Sequence, residues 1–118
     1  MAKLIFYSTM GPDLDDEAWS VFNMVKRAVD KSLDAEVVLA GPATGLLRRH
    51  VRERIEGRQA ESLRAVLEAG VPIWVSPGCA AFRGVSAEEM AEVGAQPREL
   101  AEMLCEVAAG AQLVPFIG

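Results

Sequence analysis

Apolar positions along the chain fall into two alternating patterns. Short apolar runs bounded by Gly and Pro read as buried strands, and longer stretches with apolar residues three and four apart read as amphipathic helices. Lys3–Ser8 is the first such run, ended by Gly11-Pro12. Ala18, Phe22, Val25, Val29 and Leu33 then recur at helical spacing. They predict a helix of about five turns, capped by Asp13 and with Asp15, Asp16 and Glu17 in its first turn, where a helix dipole favours acids. Glu36–Ala40 is a second strand, ended by Gly41-Pro42. Leu47, Val51 and Ile55 predict a short helix, and Ser62–Ala69 another that stops at Gly70. Val71–Val75 is a third strand, with Pro72 at its start, where a missing N–H is tolerated. Ser86-Ala-Glu-Glu89 matches a capping box, and a weak strand is expected around Glu92–Gly94. Pro97 is expected to open a last helix, with Leu100, Leu104, Val107 and Ala108 as its buried stripe. Gln112–Ile117 is a final strand in which Pro115 requires an edge position or a bulge.

Strands alternating with helices predict an α/β fold: an open, mostly parallel sheet covered on both faces. The 118 residues suit one domain spanning 1–118 and one core. No apolar run is long enough to cross a bilayer. The N-terminal residues lack a signal-peptide layout, so the expectation is a cytoplasmic protein with no membrane association.

Charge narrows the function classes. A net charge of −5 argues against nucleic acid as a partner, since neutralising phosphates needs surplus Lys and Arg. Against that acidic background Arg48, Arg49, Arg52, Arg54 and Arg58 make one segment locally positive. A solvated face is one reading of it; an oligomer contact or a site for an acidic partner is the other. Two cysteines, Cys79 and Cys105, make no disulfide framework. With a single histidine, His50, they make no zinc motif. Asp13, Asp15 and Asp16 are better explained by helix capping than by metal binding. No P-loop and no Gly-x-Gly-x-x-Gly occurs, so neither metal nor cofactor is expected.

In open parallel sheets, ligands lie beyond the carboxyl ends of the strands. Here those ends are Ser8, Thr9, Met10 and Gly11; Gly41 and Pro42, continuing to Thr44; and Ser76, Pro77, Gly78 and Cys79. All are small or turn-forming apart from Met10. Cys79 is the candidate for chemistry. A helical turn over Ala80–Arg83 would aim free amides at its sulfur and favour the thiolate, with Arg83 adding positive charge. A thiolate attacks sulfane sulfur and holds it as a persulfide. The alternative is an inert, packed Cys79.

Val75-Ser-Pro-Gly-Cys-Ala-Ala-Phe-Arg-Gly-Val85, together with Tyr7-Ser-Thr-Met-Gly-Pro-Asp13 and the closing Val114-Pro-Phe116, resembles the DsrE-like family over nearly the whole chain. The resemblance implies a flavodoxin-like three-layer sandwich with about five strands. It further implies a sulfur carrier or sulfurtransferase in which Cys79 accepts the persulfide, near Arg83 and Gly84. It also implies sulfur-donor and acceptor proteins as partners and a homo-oligomer, a trimer or hexamer. Many relatives carry a second Cys three residues earlier; here that position is Ser76, which fits a one-thiol carrier and not a two-thiol redox cycle. The rival reading is a non-catalytic protein of this fold that binds a small ligand or assembles into oligomers. A redox-sensing thiol is a third. Cys105 is expected in the core and His50 at the surface or an interface. Trp19 and Trp74 are expected in the core or between subunits.

Overall fold

A computed structural model describes residues 2–117 and contains one five-stranded sheet, parallel throughout. β1 (Leu4–Ser8) lies between β2 (Ala35–Leu39) and β5 (Gln112–Phe116), with β3 (Ile73–Val75) and then β4 (Ala95–Pro97) beyond β2. The order is β4-β3-β2-β1-β5, and the register matches Ile5 with Glu36 and Leu113, and Val38 with Trp74.

This order explains why the two faces differ. From β1 to β4 the chain steps in one direction, so right-handed crossovers place every connection on the same face. There α1 (Ser20–Asp30) and α3 (Gly57–Glu68) bury Phe22, Val25 and Val66 against Phe6, Val37, Leu39, Ile73 and Val75. The return from β4 to β5 runs the other way, so α6 (Leu100–Ala108) crosses the opposite face. That face has only a small cluster around Ile5, Val38 and Met103, joined by Tyr7, Trp74, Leu100 and Val107. β2, central and covered on both sides, is buried at all five positions.

The expected elements are present, with corrections; α3 starts at Gly57 and not at Ser62, and β3 at Ile73 and not at Val71. The helix expected from Asp13 begins only at Ser20. Pro12–Trp19 is a tighter 3-10 segment, broken at Asp15 (φ 51°, ψ −124°), with Gly11 at its cap and no side chain capping it. Its start is tied by tertiary contact, because Gly11 lies directly against Pro42 and Pro12 against Gly45. Leu33 falls past the helix and is 41% exposed. The weak strand is β4, three residues beyond Glu92–Gly94, and Pro97 ends it instead of opening a helix; an edge strand tolerates the missing N–H. In α6, Met103 is buried whereas Leu104 and Cys105 are exposed. Cys105 is therefore not core, because α6 sits over the sheet with a stripe rotated toward Leu100, Met103 and Val107. Pro115 does lie on an edge strand, β5, in register and without a bulge.

The thinly covered face also holds a buried ion cluster. Glu36, 3% exposed, accepts from Trp74 Nε1 at 3.1 Å and lies 3.4 Å from Lys3 Nζ and 3.6 Å from Arg98 Nη1. Glu106 lies 2.8 Å from Lys3 Nζ and 3.1 Å from Arg98 Nη1. Arg98 also stacks over the Trp74 ring at 4.7 Å. Burial pushes the Glu36 carboxyl up. A hydrogen bond from Glu36, then Lys3 and Arg98, hold Glu106 down to about 2. A depressed carboxylate contributes stability above its unfolded pKa, and that contribution is lost as pH falls toward the folded value. Glu106→Gln should therefore cost on the order of 2 kcal/mol at neutral pH, with the cost shrinking toward pH 2. Urea unfolding at both pH values checks this; a pH-independent difference would refute the linkage.

Candidate active site

Level register brings the ends of β1, β2 and β3 to one edge. Backbone bonds lace the loops that follow: Ala40 N–H donates to Ser8 O at 3.0 Å, Ser76 N–H to Leu39 O at 3.1 Å and Thr9 N–H to Phe116 O at 3.0 Å. A Cβ on Gly11 would lie 2.6 Å from Pro42 Cβ, so only glycine lets the first two loops touch. Gly41 turns with φ +54°, a conformation costly for other residues. Ser8 is fully buried, and its Oγ accepts Met10 N–H at 3.1 Å. Its visible role is to shape the turn. Thr9 and Met10 are half-buried beside it.

Cys79 is the third residue of α4 (Pro77–Phe82), for which Ser76 is the N-cap residue. The thiol is half-buried, and its pKa is lowered. The Ser76 hydroxyl contributes most, followed by the Gly41 amide. Burial opposes them, and the Arg83 charge adds a smaller favourable share. The amide that helps the sulfur thus comes from the neighbouring loop. The expected donors, the amides of Ala80–Arg83, are not among the groups that lower this pKa. The helix starts earlier than expected, at Pro77, so Ala80 N–H is already spent on Ser76 O at 3.0 Å and Arg83 N–H on Cys79 O at 3.3 Å.

Two further residues, Thr44 and Arg48, support this turn in roles that the sequence does not reveal. Thr44, fully buried, places Oγ1 2.9 Å from Gly41 O and 3.2 Å from Cys79 O. Arg48 donates Nη1 to Arg83 O at 3.0 Å and packs at Gly84. Neither had a signal beyond membership of a strand-end loop or a basic run. The arginine run divides. Arg49 and Arg52 in α2 (Arg49–Arg52) both bind the Glu92 carboxylate of α5 (Ala87–Glu92). Arg48 Nε lies 3.6 Å from Glu89. Arg54 and Arg58 are exposed. The three clamp α5 to α2 and the residue before it; the solvated-face reading fails for Arg48 and Arg52, whereas Arg49 stays exposed. Glu89 anchors that clamp. It completes the capping box with Ser86 and accepts Arg49 N–H at 2.6 Å, and these backbone donors hold its carboxyl down to about 2.

His50 is exposed on α2. Among the described residues, no group of three or more His, Cys, Asp or Glu side chains could hold a metal. A cleft of about 380 Å³ lies between Pro12–Trp19 and Val51–Gln59, and an apolar groove of about 320 Å³ runs along α4 past Ala80, Val85 and Met90. Cys79 lines neither. Phe82, nearby on α4, is 85% exposed, with Arg83 stacked 5.4 Å from its ring.

A model of the DsrE/DsrF-like family matches residues 2–116. The fold is similar to that of the ychN protein from E. coli, with a TM-score of 0.78 and 16% identity over 98% of this chain and 100% of that one. It is also similar to a conserved protein of unknown function from Bacteroides thetaiotaomicron, with a TM-score of 0.68 and 16% identity over 97% and 94% of the two chains. No curated protein matches the sequence significantly.

Because the Ser76 hydroxyl leads the shift, Ser76→Ala should raise the Cys79 pKa and slow its alkylation several-fold at pH 7, but not at high pH, where all thiol is ionised. Iodoacetamide kinetics read by intact mass, with Cys105→Ser as background, measure this. Equal rates at pH 7 would remove Ser76 from the site.

Proposed function

The chain belongs to the DsrE/DsrF-like family, and from that premise we infer that it is a sulfur carrier or sulfurtransferase that holds a persulfide on Cys79 and passes it to a partner protein. The observation that carries this reading is the setting of Cys79: a half-buried thiol at the carboxyl edge of the sheet, biased toward thiolate by Ser76, Gly41 and Arg83.

The chemistry is an exchange without net redox change. The Cys79 thiolate attacks the terminal sulfane sulfur of a donor persulfide. The donor S–S bond breaks, the donor leaves as a thiolate, and Cys79 carries the persulfide. A thiolate of the acceptor then attacks the outer sulfur, and Cys79 leaves as a thiolate again. Donors that stabilise the thiolate make it both available as nucleophile and good as leaving group. One thiol suffices for both steps. Ser76, which occupies the place of a second Cys, acts as hydrogen-bond donor in place of a resolving thiol.

The open setting favours protein partners. Cys79 lines neither cavity, and the exposed Phe82 offers apolar contact close by. We place Thr9, Met10, Gly11, Gly41 and Pro42 as one wall of the site, and Ser76, Pro77, Gly78, Arg83 and Gly84 as the other. The protein is further proposed to be a cytoplasmic homo-oligomer of one domain. Exposed Leu104, Leu113 and Ile117 on α6, on β5 and just beyond it give assembly an apolar surface to cover, which also favours the assembly part of the rival reading.

Incubation with polysulfide should add the mass of one sulfur atom to the wild type and to Cys105→Ser, and none to Cys79→Ser. Labelling that persists in Cys79→Ser and vanishes in Cys105→Ser refutes the assignment. Light scattering on the same samples should give a multiple of the chain mass; a monomer removes the assembly claim.

A further inference from the structure

We propose that Thr44 is a positioning residue for Cys79, holding the thiol's own residue against the Gly41 turn through the two main-chain carbonyls that its hydroxyl bridges. This rests on the reading of Cys79 as the working thiol. Thr44 belongs to the 3-10 segment Gly41–Leu47 and is completely buried among Ala43, Leu46 and Leu47. A buried hydroxyl needs a partner, and Thr44 has two: Gly41 O at 2.9 Å and Cys79 O at 3.2 Å. Its single proton is shared between them.

The two carbonyls belong to residues far apart in sequence that meet at the sulfur. The Gly41 amide favours the Cys79 thiolate, and Cys79 bears the thiol itself. Among the described residues, no backbone–backbone hydrogen bond joins Gly41–Leu47 to α4. The other polar tie from this region, Arg48 to Arg83 O, acts at the far end of α4. Thr44 thus supplies a hydrogen bond that holds the second loop against the residue of the nucleophile. An amide–sulfur contact weakens steeply with misalignment, so loss of the tie should act on the thiol's ionisation first. Cys79 O also accepts from Arg83 N at 3.3 Å and from Arg83 Nη1 at 3.2 Å. Removing the hydroxyl therefore leaves that carbonyl satisfied and the helix able to form.

The test uses the full chain in a Cys105→Ser background and follows iodoacetamide alkylation of Cys79 from about pH 5 to 9. Thr44→Val keeps the side-chain shape and removes the hydroxyl; Thr44→Ser keeps the hydroxyl. Thr44→Val should move the midpoint of the rate profile upward and slow alkylation at pH 7 several-fold, with an unchanged rate at high pH. Thr44→Ser should restore the wild-type profile. A wild-type profile in folded Thr44→Val overturns the inference, as does a Thr44→Ser profile matching Thr44→Val, which would assign the effect to packing. If Thr44→Val does not fold, by circular dichroism, Thr44→Ala is read by the same criteria. If neither folds, a Thr44→Ser profile differing from wild type overturns the inference and a wild-type one supports it. Polysulfide loading separates the two ideas. A shifted profile with no sulfur uptake by the wild type sinks the carrier reading and leaves Thr44 in place. Uptake by the wild type with an unshifted Thr44→Val profile does the reverse.

Discussion

The parallel register of β1, β2 and β3 is the constraint on which the candidate site depends. It sets Ser8, Leu39 and Val75 at one edge, so three loops reverse direction within reach of one another. The loops then meet at contacts few residues permit: Gly11 on Pro42, Gly41 at positive φ, and Thr44 between two carbonyls. Cys79 is brought to this junction by a strand of only three residues and a helix of six. Its environment is therefore borrowed from the second loop as much as built by its own.

That borrowing gives the thiol its electrostatic character. The Ser76 hydroxyl and the Gly41 amide are neutral donors, aided by a smaller contribution from the Arg83 charge, and together they outweigh the opposing effect of burial.

Much of the fold was legible because the chain obeys local rules. Short apolar runs marked β1, β2, β3 and β5, and Pro115 pointed to an edge position or a bulge for β5, of which the sheet order shows the edge. Errors arose where tertiary contacts override local signals. Pro97 has the look of a helix start but finishes an edge strand, because β3 offers it a parallel partner. The acids at 13, 15 and 16 suit a first helical turn, yet packing of Gly11-Pro12 on the next loop winds that segment too tightly for an α-helix. Cys105 is two residues from both Met103 and Val107, which puts it on the side of α6 away from the buried stripe; Leu104 and Ala108, apolar but exposed, disguise that stripe in the sequence. At the site, Cys79 and its flanking Ser76 and Arg83 were readable from position on the strand end. Thr44 was not, because its partners are carbonyls, and carbonyls are written into every residue alike.

The account stands on Cys79 being a thiolate-biased nucleophile in the folded protein. The most direct measurement is the pH profile of its ionisation, read by thiolate ultraviolet absorbance in the otherwise wild-type chain with Cys105→Ser, against the double variant that also carries Cys79→Ser. The account predicts a midpoint below the ordinary thiol value of about 8.5, lost on unfolding in urea. A midpoint at or above that value, the same folded and unfolded, would contradict it.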